Sequence, residues 1–481
     1  MTKRKQKEIQ IKSTERVKKH GEVLTASREV ESMLDLVRTE LDTPDKIFLE
    51  PACGDGNFLT AILKRKLEKS MNENDLFYAL NSLFGTDLLE DNITHARKRL
   101  FELWTEKYKT TLKKEPGKDI IRKTENILRT NIIQSDFLKN DNFKNLNIDV
   151  IIGNPPYQTV DGGGTGDSAK PIYQYFVRRA KELNPNYITF IIPSRWMKGG
   201  KGLRKFRQEM INDTGIKILH DFENGQICFP DLHIDGGVCY FLRAKNYNGK
   251  VEYHHYALDG KERITKRYLK NKYTDTVIRD YRQESIIKKA SKRKEEKFSS
   301  IVSSRNPFGF YANLFNTPER YPEIKVSDCL KNGYYKIYGV KGKKGSSKRI
   351  SGYLNPSDVK KNKTSALSYK LFFSKAYTST STVPPEIILA GPKEVCTETF
   401  LQIGNFSDKT EAENCLSYIK TRFFRALLFF SRHSLNISKK SFELIPIQNF
   451  SEKWTDEKLY KKYSFEQNEI DFINSVIKPM N

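Results

Sequence analysis

Between Asp45 and Lys245 one alternation repeats: a short apolar stretch of strand type, then a stretch of helical period, then another strand. That order points to a doubly wound parallel sheet, because parallel neighbours need a crossover of helical length that then covers the sheet faces. The candidate strands are "KIFLEP", "LFGTDL", "IIQSDFL", "DVIIGN", "YITFIIPS", "IKILHDF" and "GVCYFL". They predict an α/β, Rossmann-like fold with a seven-stranded sheet. Ile93, Ala96, Leu100, Leu103 and Trp104 follow helical spacing between the second and third strands. A helix over Ser27 to Leu41 is expected before the first strand, with a serine N-cap and a stripe through Val30, Leu34 and Val37.

After about Lys250 the alternation fades and the chain becomes basic and tyrosine-rich, with "SKRKEEK" (Ser291 to Lys297) resembling a charged connector. The 481 residues therefore divide into two expected domains, 1–255 and 256–481, the second α+β with a helix over Thr410 to Arg432. A formal net charge of +25 favours polyanionic partners, most simply nucleic acid. No apolar run approaches the roughly 20 residues of a membrane span, and the N-terminus lacks a signal-peptide core, so a cytoplasmic protein is expected. The cysteines Cys53, Cys228, Cys239, Cys329, Cys396 and Cys415 form no CxxC pair and have no histidine at ligand spacing, so neither a metal site nor a disulfide framework is expected.

The fourth strand ends abnormally. "DVIIGNPPYQ" runs from apolar strand into Asn154, Pro155, Pro156 and Tyr157, and each proline removes a backbone donor, so the ladder stops there. The corner is stiff and carries an amide oxygen, carbonyls and a ring beyond the sheet. Three other strand ends join it. In "FLEPACGDGNFL", Glu50, Pro51 and Ala52 close a strand, Gly54 and Gly56 let the backbone approach a ligand, and Asn57 and Phe58 open a helix. The loop has no P-loop Lys-Ser/Thr and no third glycine of the dinucleotide fingerprint, which disfavours phosphate. Asp87 and Leu88 follow the second strand where a carboxylate can grip a ribose diol, and Asp136 and Phe137 follow the third, an acceptor and a ring suited to a purine. Taken singly, these are ordinary turns, caps and core residues; together they crowd one rim.

The order "PACGDGNF", "GTDL", "SDFL", "NPPY" resembles the gamma-class adenine (6-amino) DNA methyltransferases of bacterial restriction-modification systems. The resemblance implies that the first three segments bind S-adenosyl-L-methionine, through Glu50, Pro51, Ala52, Gly54, Gly56, Asn57, Phe58, Asp87, Leu88, Asp136 and Phe137, and that Asn154 to Tyr157 act on the target base. "HGEVLTASREV" (His20 to Val30) is similar to the family's N-terminal cofactor segment, with Thr25 and Glu22 retained and Leu24 and Ala26 in place of Phe and Pro. "FIIPSRWMKGGKGLRKFR" and "CFPDLHIDGGVCYFL" resemble segments of restriction-associated members, and Phe229 falls where the family places a ring against the flipped base. "CTETFLQIG", "SYIKTRFFRALL" and "WTDEKLYKKY" resemble a target-recognition and tail region.

The chemistry asks for such a corner. The adenine amino nitrogen is a poor nucleophile because its lone pair is delocalised, so acceptors must hold both amino hydrogens; the Asn154 side chain and the Pro155 backbone can supply them. Tyr157 offers a face to a base flipped from the duplex. Cytosine ring-carbon methylation would need a cysteine nucleophile, and Cys53 follows Ala52 within the cofactor loop. Amino-cytosine methylation shares the motif, as do enzymes acting on glutamine side chains or structural RNA; a non-catalytic DNA-specificity subunit is the alternative of another class.

"DGGGTGDSAK" (Asp161 to Lys170) reads as a loop over the target pocket or a plain surface loop. Lys198 and Lys201 in "KGGKGLRKFR" could follow a DNA backbone. Lys331 to Ile350 contains Lys331, Lys336, Lys341, Lys343, Lys344, Lys348 and Arg349 with no acid, the composition of a DNA-facing loop. Double-stranded DNA is the expected partner. About 20 residues precede the methyltransferase segments, too few for a nuclease domain, so a cutting partner is expected on a separate chain.

Overall fold

The computed structural model describes residues 10–13, 15–16, 21–159, 170–200, 202–342, 347–376, 381–384, 387–431 and 437–480. The chain divides into two compact units, Met1–Lys270 and Asn271–Asn481. The first unit is built on one sheet of nine strands: β1 (Phe48–Glu50), β2 (Leu83–Asp87), β3 (Ile132–Gln134), β4 (Val150–Gly153), β5 (Tyr187–Pro193), β6 (Ile216–Phe222), β7 (Val238–Ala244), β8 (Val251–Tyr256) and β9 (Glu262–Arg267). Their order is β9-β8-β6-β7-β5-β4-β1-β2-β3. All seven expected strands form, and the hairpin β8–β9 carries the sheet past residue 255.

β1 pairs in parallel with both β2 and β4, so the chain runs outward from β1 in one direction and then returns to its other side. That reversal is the topological switch point, and ligands bind outside the carboxyl ends of the strands there. β7 is antiparallel to β5 and β6, between which it lies. This is a Rossmann-like, doubly wound α/β fold.

The helices that bear on the site are α1 (Ser27–Asp35), α2 (Asn57–Lys69), α3 (Glu73–Asn81), α4 (Glu90–Leu112), α5 (Lys118–Asn131), α6 (Tyr173–Glu182) and α7 (Arg204–Ile211). Ile93, Ala96, Leu100 and Trp104 of α4 are buried in the core with Phe58, Leu59, Ile62 and Leu63 of α2. α1 is shorter than expected. Its N-cap is Ala26, with Ser27 as the first helical residue, and the helix breaks at Leu36 before a further turn at Arg38–Leu41. Val30, Leu34 and Val37 are nonetheless buried, because the break keeps the apolar side inward.

The described residues of the second unit contain two small sheets, β10 (Tyr335–Lys341), β11 (Lys348–Leu354) and β12 (Glu394–Cys396) forming one. The helix expected over Thr410 to Arg432 is two, Lys409–Lys420 and Arg422–Ser431. The break has a tertiary cause: the Asp456 carboxylate accepts the N–H groups of Arg422 and Phe423 at 3.0 and 2.9 Å, while the Thr421 hydroxyl caps Phe424 N–H at 3.1 Å. Nor is Ser291 to Lys297 a connector. Glu295 accepts from the Tyr463 hydroxyl at 2.5 Å and pairs with Lys462 at 2.7 Å, and the Glu296 carbonyl takes the Ile447 N–H at 2.8 Å, so the segment is bound inside the unit. Among the described residues no helix is long and apolar enough to cross a membrane. All six cysteines are free thiols, and only Cys329 is exposed.

Candidate functional site

The carboxyl ends of β1, β2, β3 and β4 surround a cavity. Glu50, Pro51, Ala52, Gly54, Asn57, Phe58, Asp87, Leu88, Asp136, Phe137 and Thr25 all line it, as does Asn154. Gly56 does not line the wall; it shapes it. At φ +87° it caps α2 in the left-handed region, and a Cβ there would lie 3.0 Å from the Ala96 Cβ. Gly54, at φ +50°, donates its N–H to Asp87 at 2.9 Å.

Asp87 also accepts from Leu89 N–H at 2.9 Å and Asn92 at 3.1 Å, so it fixes the first loop and its own helix start while still facing the cavity. Burial raises its pKa above the ordinary carboxylate value. Glu50, only 2% exposed, is raised much further, again by burial, and accepts one weak bond from Leu59 N–H at 3.3 Å. Gly153 gives it room, since a Cβ there would lie 3.3 Å from Glu50 Cγ. Asp136 caps its own turn through Leu138 N–H at 3.0 Å and pairs with Lys139 at 3.3 Å. Phe137 stacks on Phe176 of α6, with ring centroids 5.7 Å apart.

The electrostatics of this cavity oppose those of the chain. Its wall carries five acidic side chains, Glu22, Glu50, Asp55, Asp87 and Asp136, and among the described residues neither lysine nor arginine. Arg16 pairs with Glu22 at 2.5 Å and Arg99 with Asp55 at 3.5 Å, yet neither lines the cavity. Such a wall rejects phosphate and suits a cation bearing hydroxyl donors. Thr25 adds a buried hydroxyl with no hydrogen-bond partner among the described residues.

A second, larger cavity adjoins it, lined by Tyr157, Gln158, Tyr173, Pro193, Arg195, Leu203, Leu232, His233, Ile234 and Asp235 among others. Gly21 and Val23 line both cavities, so the stretch 21–25 forms part of the partition. Gly21, at φ +64°, lies against the proline corner: a Cβ there would sit 2.8 Å from the Gln158 carbonyl oxygen. Asn154 Nδ2 donates to the Val23 carbonyl at 2.9 Å. A carbonyl only accepts, so this bond fixes the amide orientation and turns Oδ1 the other way. Oδ1 is buried without a hydrogen-bond partner among the described residues. The Tyr157 hydroxyl is likewise buried and unpartnered, and burial pushes its pKa far up.

Phe229 is fully buried and lines neither cavity; it meets the Tyr157 ring edge-on at 6.2 Å. Lys341, Lys348 and Arg349 are exposed where β10 and β11 meet at the hairpin end, and Lys198 follows the turn after β5. Lys201, Lys343, Lys344, His20 and the loop 161–169 lie outside the described residues. The sequence did not single out Val23, Phe176, Tyr173, Arg195, His233 or Asp235 as site residues, because their placement depends on long-range packing.

Among the described residues, one group of possible metal ligands, His220, His254 and Glu262, lies apart from both cavities' walls. His254 Nδ1 meets Glu262 at 2.8 Å and Nε2 meets Glu252 at 3.0 Å, while burial and His254 lower the stacked His220 to about 3. Carboxylates thus already occupy both nitrogens of His254.

Residues 81–229, which contain the Asp87, Asp136, Asn154 and Phe229 segments, match the family model of the Eco57I restriction-modification methylases. An "Uncharacterized adenine-specific methylase" of Mycoplasma pneumoniae (strain ATCC 29342 / M129 / Subtype 1) is 42% identical over 112 residues, 23% of this chain and 26% of that protein. The aligned part thus spans about a quarter of that relative. Among solved structures, the Type IIL restriction-modification enzyme MmeI in complex with DNA is 12% identical, with a TM-score of 0.49 over 96% of this chain and 79% of that one. The type IIG restriction endonuclease BpuSI is 13% identical, with a TM-score of 0.39 over 92% and 61%.

Proposed function

We propose that the chain is a site-specific DNA adenine methyltransferase, the modification part of a restriction-modification or defence system or a stand-alone methylase. The observation that carries this is the Asn154 amide: its nitrogen is tied to Val23 and its oxygen is left buried and unpaired. A buried acceptor without a donor costs about 1–3 kcal/mol, which a substrate donor would recover.

The first cavity suits S-adenosyl-L-methionine, whose sulfonium and ammonium match its acidic wall. Bound there, it supplies an electrophilic methyl group. Asp87 and Asp136 would accept from its hydroxyl and amino groups, Phe137 and Phe176 would flank its ring, and Thr25, Glu50, Gly54 and Asn57 would hold the remainder. In the second cavity, an extruded adenine stacks on Tyr157, whose ring Phe229 holds edge-on. Asn154 Oδ1 accepts one amino hydrogen and the Pro155 carbonyl the other, which frees the nitrogen lone pair for attack. The two prolines hold these acceptors in place before the base arrives. One amino proton then leaves to solvent.

The second unit is proposed as the target-recognition domain, with Lys341, Lys343, Lys344, Lys348 and Arg349, together with Lys198 and Lys201 of the first unit, on DNA phosphates. Double-stranded DNA is the substrate. The test is expression in a host free of DNA methylation, followed by mapping of modified bases in long sequencing reads. Modified adenine in one short motif, lost in Asn154→Ala, is expected. An unmodified genome, or modification confined to cytosine, overturns the proposal.

A further inference from the structure

We infer that Arg195 grips a backbone phosphate of the nucleotide drawn into the second cavity, an inference that rests on the DNA methyltransferase function proposed above.

Arg195 lines that cavity with Tyr157 and Tyr173. Its side chain is exposed, and among the described residues its guanidinium makes no hydrogen bond or ion pair. Its backbone, by contrast, is fixed. β5 pairs with β4 through Phe190 and Gly153, so the turn after Pro193 stands beside the Asn154 corner. Ser194, the preceding residue, donates its N–H to the Gly237 carbonyl at 2.9 Å and its hydroxyl to the fully buried Asp221 at 2.7 Å. Trp196 and Met197 follow, both fully buried. Gly236, at φ +86°, lies so close that a Cβ would come within 3.4 Å of the Arg195 Cα.

A pinned backbone carrying an uncommitted guanidinium is suited to an anion that arrives with the substrate. The proposed acceptors for the base are already assigned to Asn154 and Pro155, and stacking to Tyr157. What an extruded nucleotide adds at the rim is its phosphates, whose oxygens match the fork of guanidinium donors. The hydroxyl of Tyr173, a residue on the same wall, is buried and has no hydrogen-bond partner among the described residues.

The test measures methyl transfer from labelled S-adenosylmethionine to unmethylated genomic DNA by wild type, Arg195→Ala and Arg195→Lys. Arg195→Ala should raise the KM for DNA about 10-fold or more, the loss of one charge-assisted contact. Its log-log salt slope should shrink by about 0.9, and the cofactor Kd should not move. Arg195→Lys, keeping the charge, should restore most of the slope. An Arg195→Ala enzyme with wild-type KM and slope overturns the inference alone; wild type that methylates no DNA overturns the proposed function with it. Should Arg195→Ala also lose cofactor, Arg195→Gln, which keeps most of the stem, decides by the same two readouts.

Discussion

Replacing Asn154 by alanine removes two features that act oppositely on stability. The amide nitrogen holds the Val23 carbonyl at 2.9 Å, a neutral hydrogen bond worth about 1 kcal/mol net. The amide oxygen is buried without a partner, and such an acceptor costs about 1–3 kcal/mol in the folded protein. Asn154→Ala should therefore leave stability near or slightly above wild type, with a melting temperature within about 4 °C of it. Methyl transfer should behave quite differently. Losing one preorganised hydrogen-bonding group costs about 2.7–4 kcal/mol of transition-state stabilisation, a fall of roughly 10²–10³ in kcat. The assay is single-turnover transfer to DNA, with a calorimetric melt on the same preparation. Transfer within about 10-fold of wild type would refute the acceptor role, and a melt lowered by about 10 °C would refute the assignment of the oxygen as unpaired.

Three further outcomes follow from the same geometry. Burial raises the Glu50 carboxyl above its ordinary 4.5, so above that pH the folded protein keeps a proton that the unfolded chain releases, and stability falls as pH rises. The stability of Glu50→Gln relative to wild type should thus grow as pH rises above 4.5; melting curves whose difference is flat in pH refute it. Gly56→Ala forces a side chain into φ +87° and against Ala96, and should cost about 1–2 kcal/mol and weaken cofactor binding, read by melting and by calorimetric titration. Removing Lys341, Lys348 and Arg349 together should reduce the salt slope of DNA binding by about 2.7; an unchanged slope takes the hairpin off the DNA.

Much of the first cavity was legible because its residues follow strand ends. Glu50, Asp87, Asp136 and Asn154 come just after or at the ends of β1 to β4, and a doubly wound sheet brings successive carboxyl ends together at the switch point. Local period and local turn chemistry therefore located them. The same locality explains what was misjudged. The helix expected through Thr421 breaks because Asp456, remote in sequence, captures two of its N–H groups. Ser291 to Lys297 looked like a linker because charge alone does not show that Glu295 is claimed by Lys462 and Tyr463.

The sequence by itself determined the succession of the first seven strands along the chain and the stiffness of the Asn-Pro-Pro-Tyr corner, since these depend on period and on proline's missing donor. Only the tertiary structure decided which way the Asn154 amide faces. That depends on Val23, 131 residues away, whose carbonyl can accept but not donate, and so leaves Oδ1 buried without a hydrogen-bond partner among the described residues.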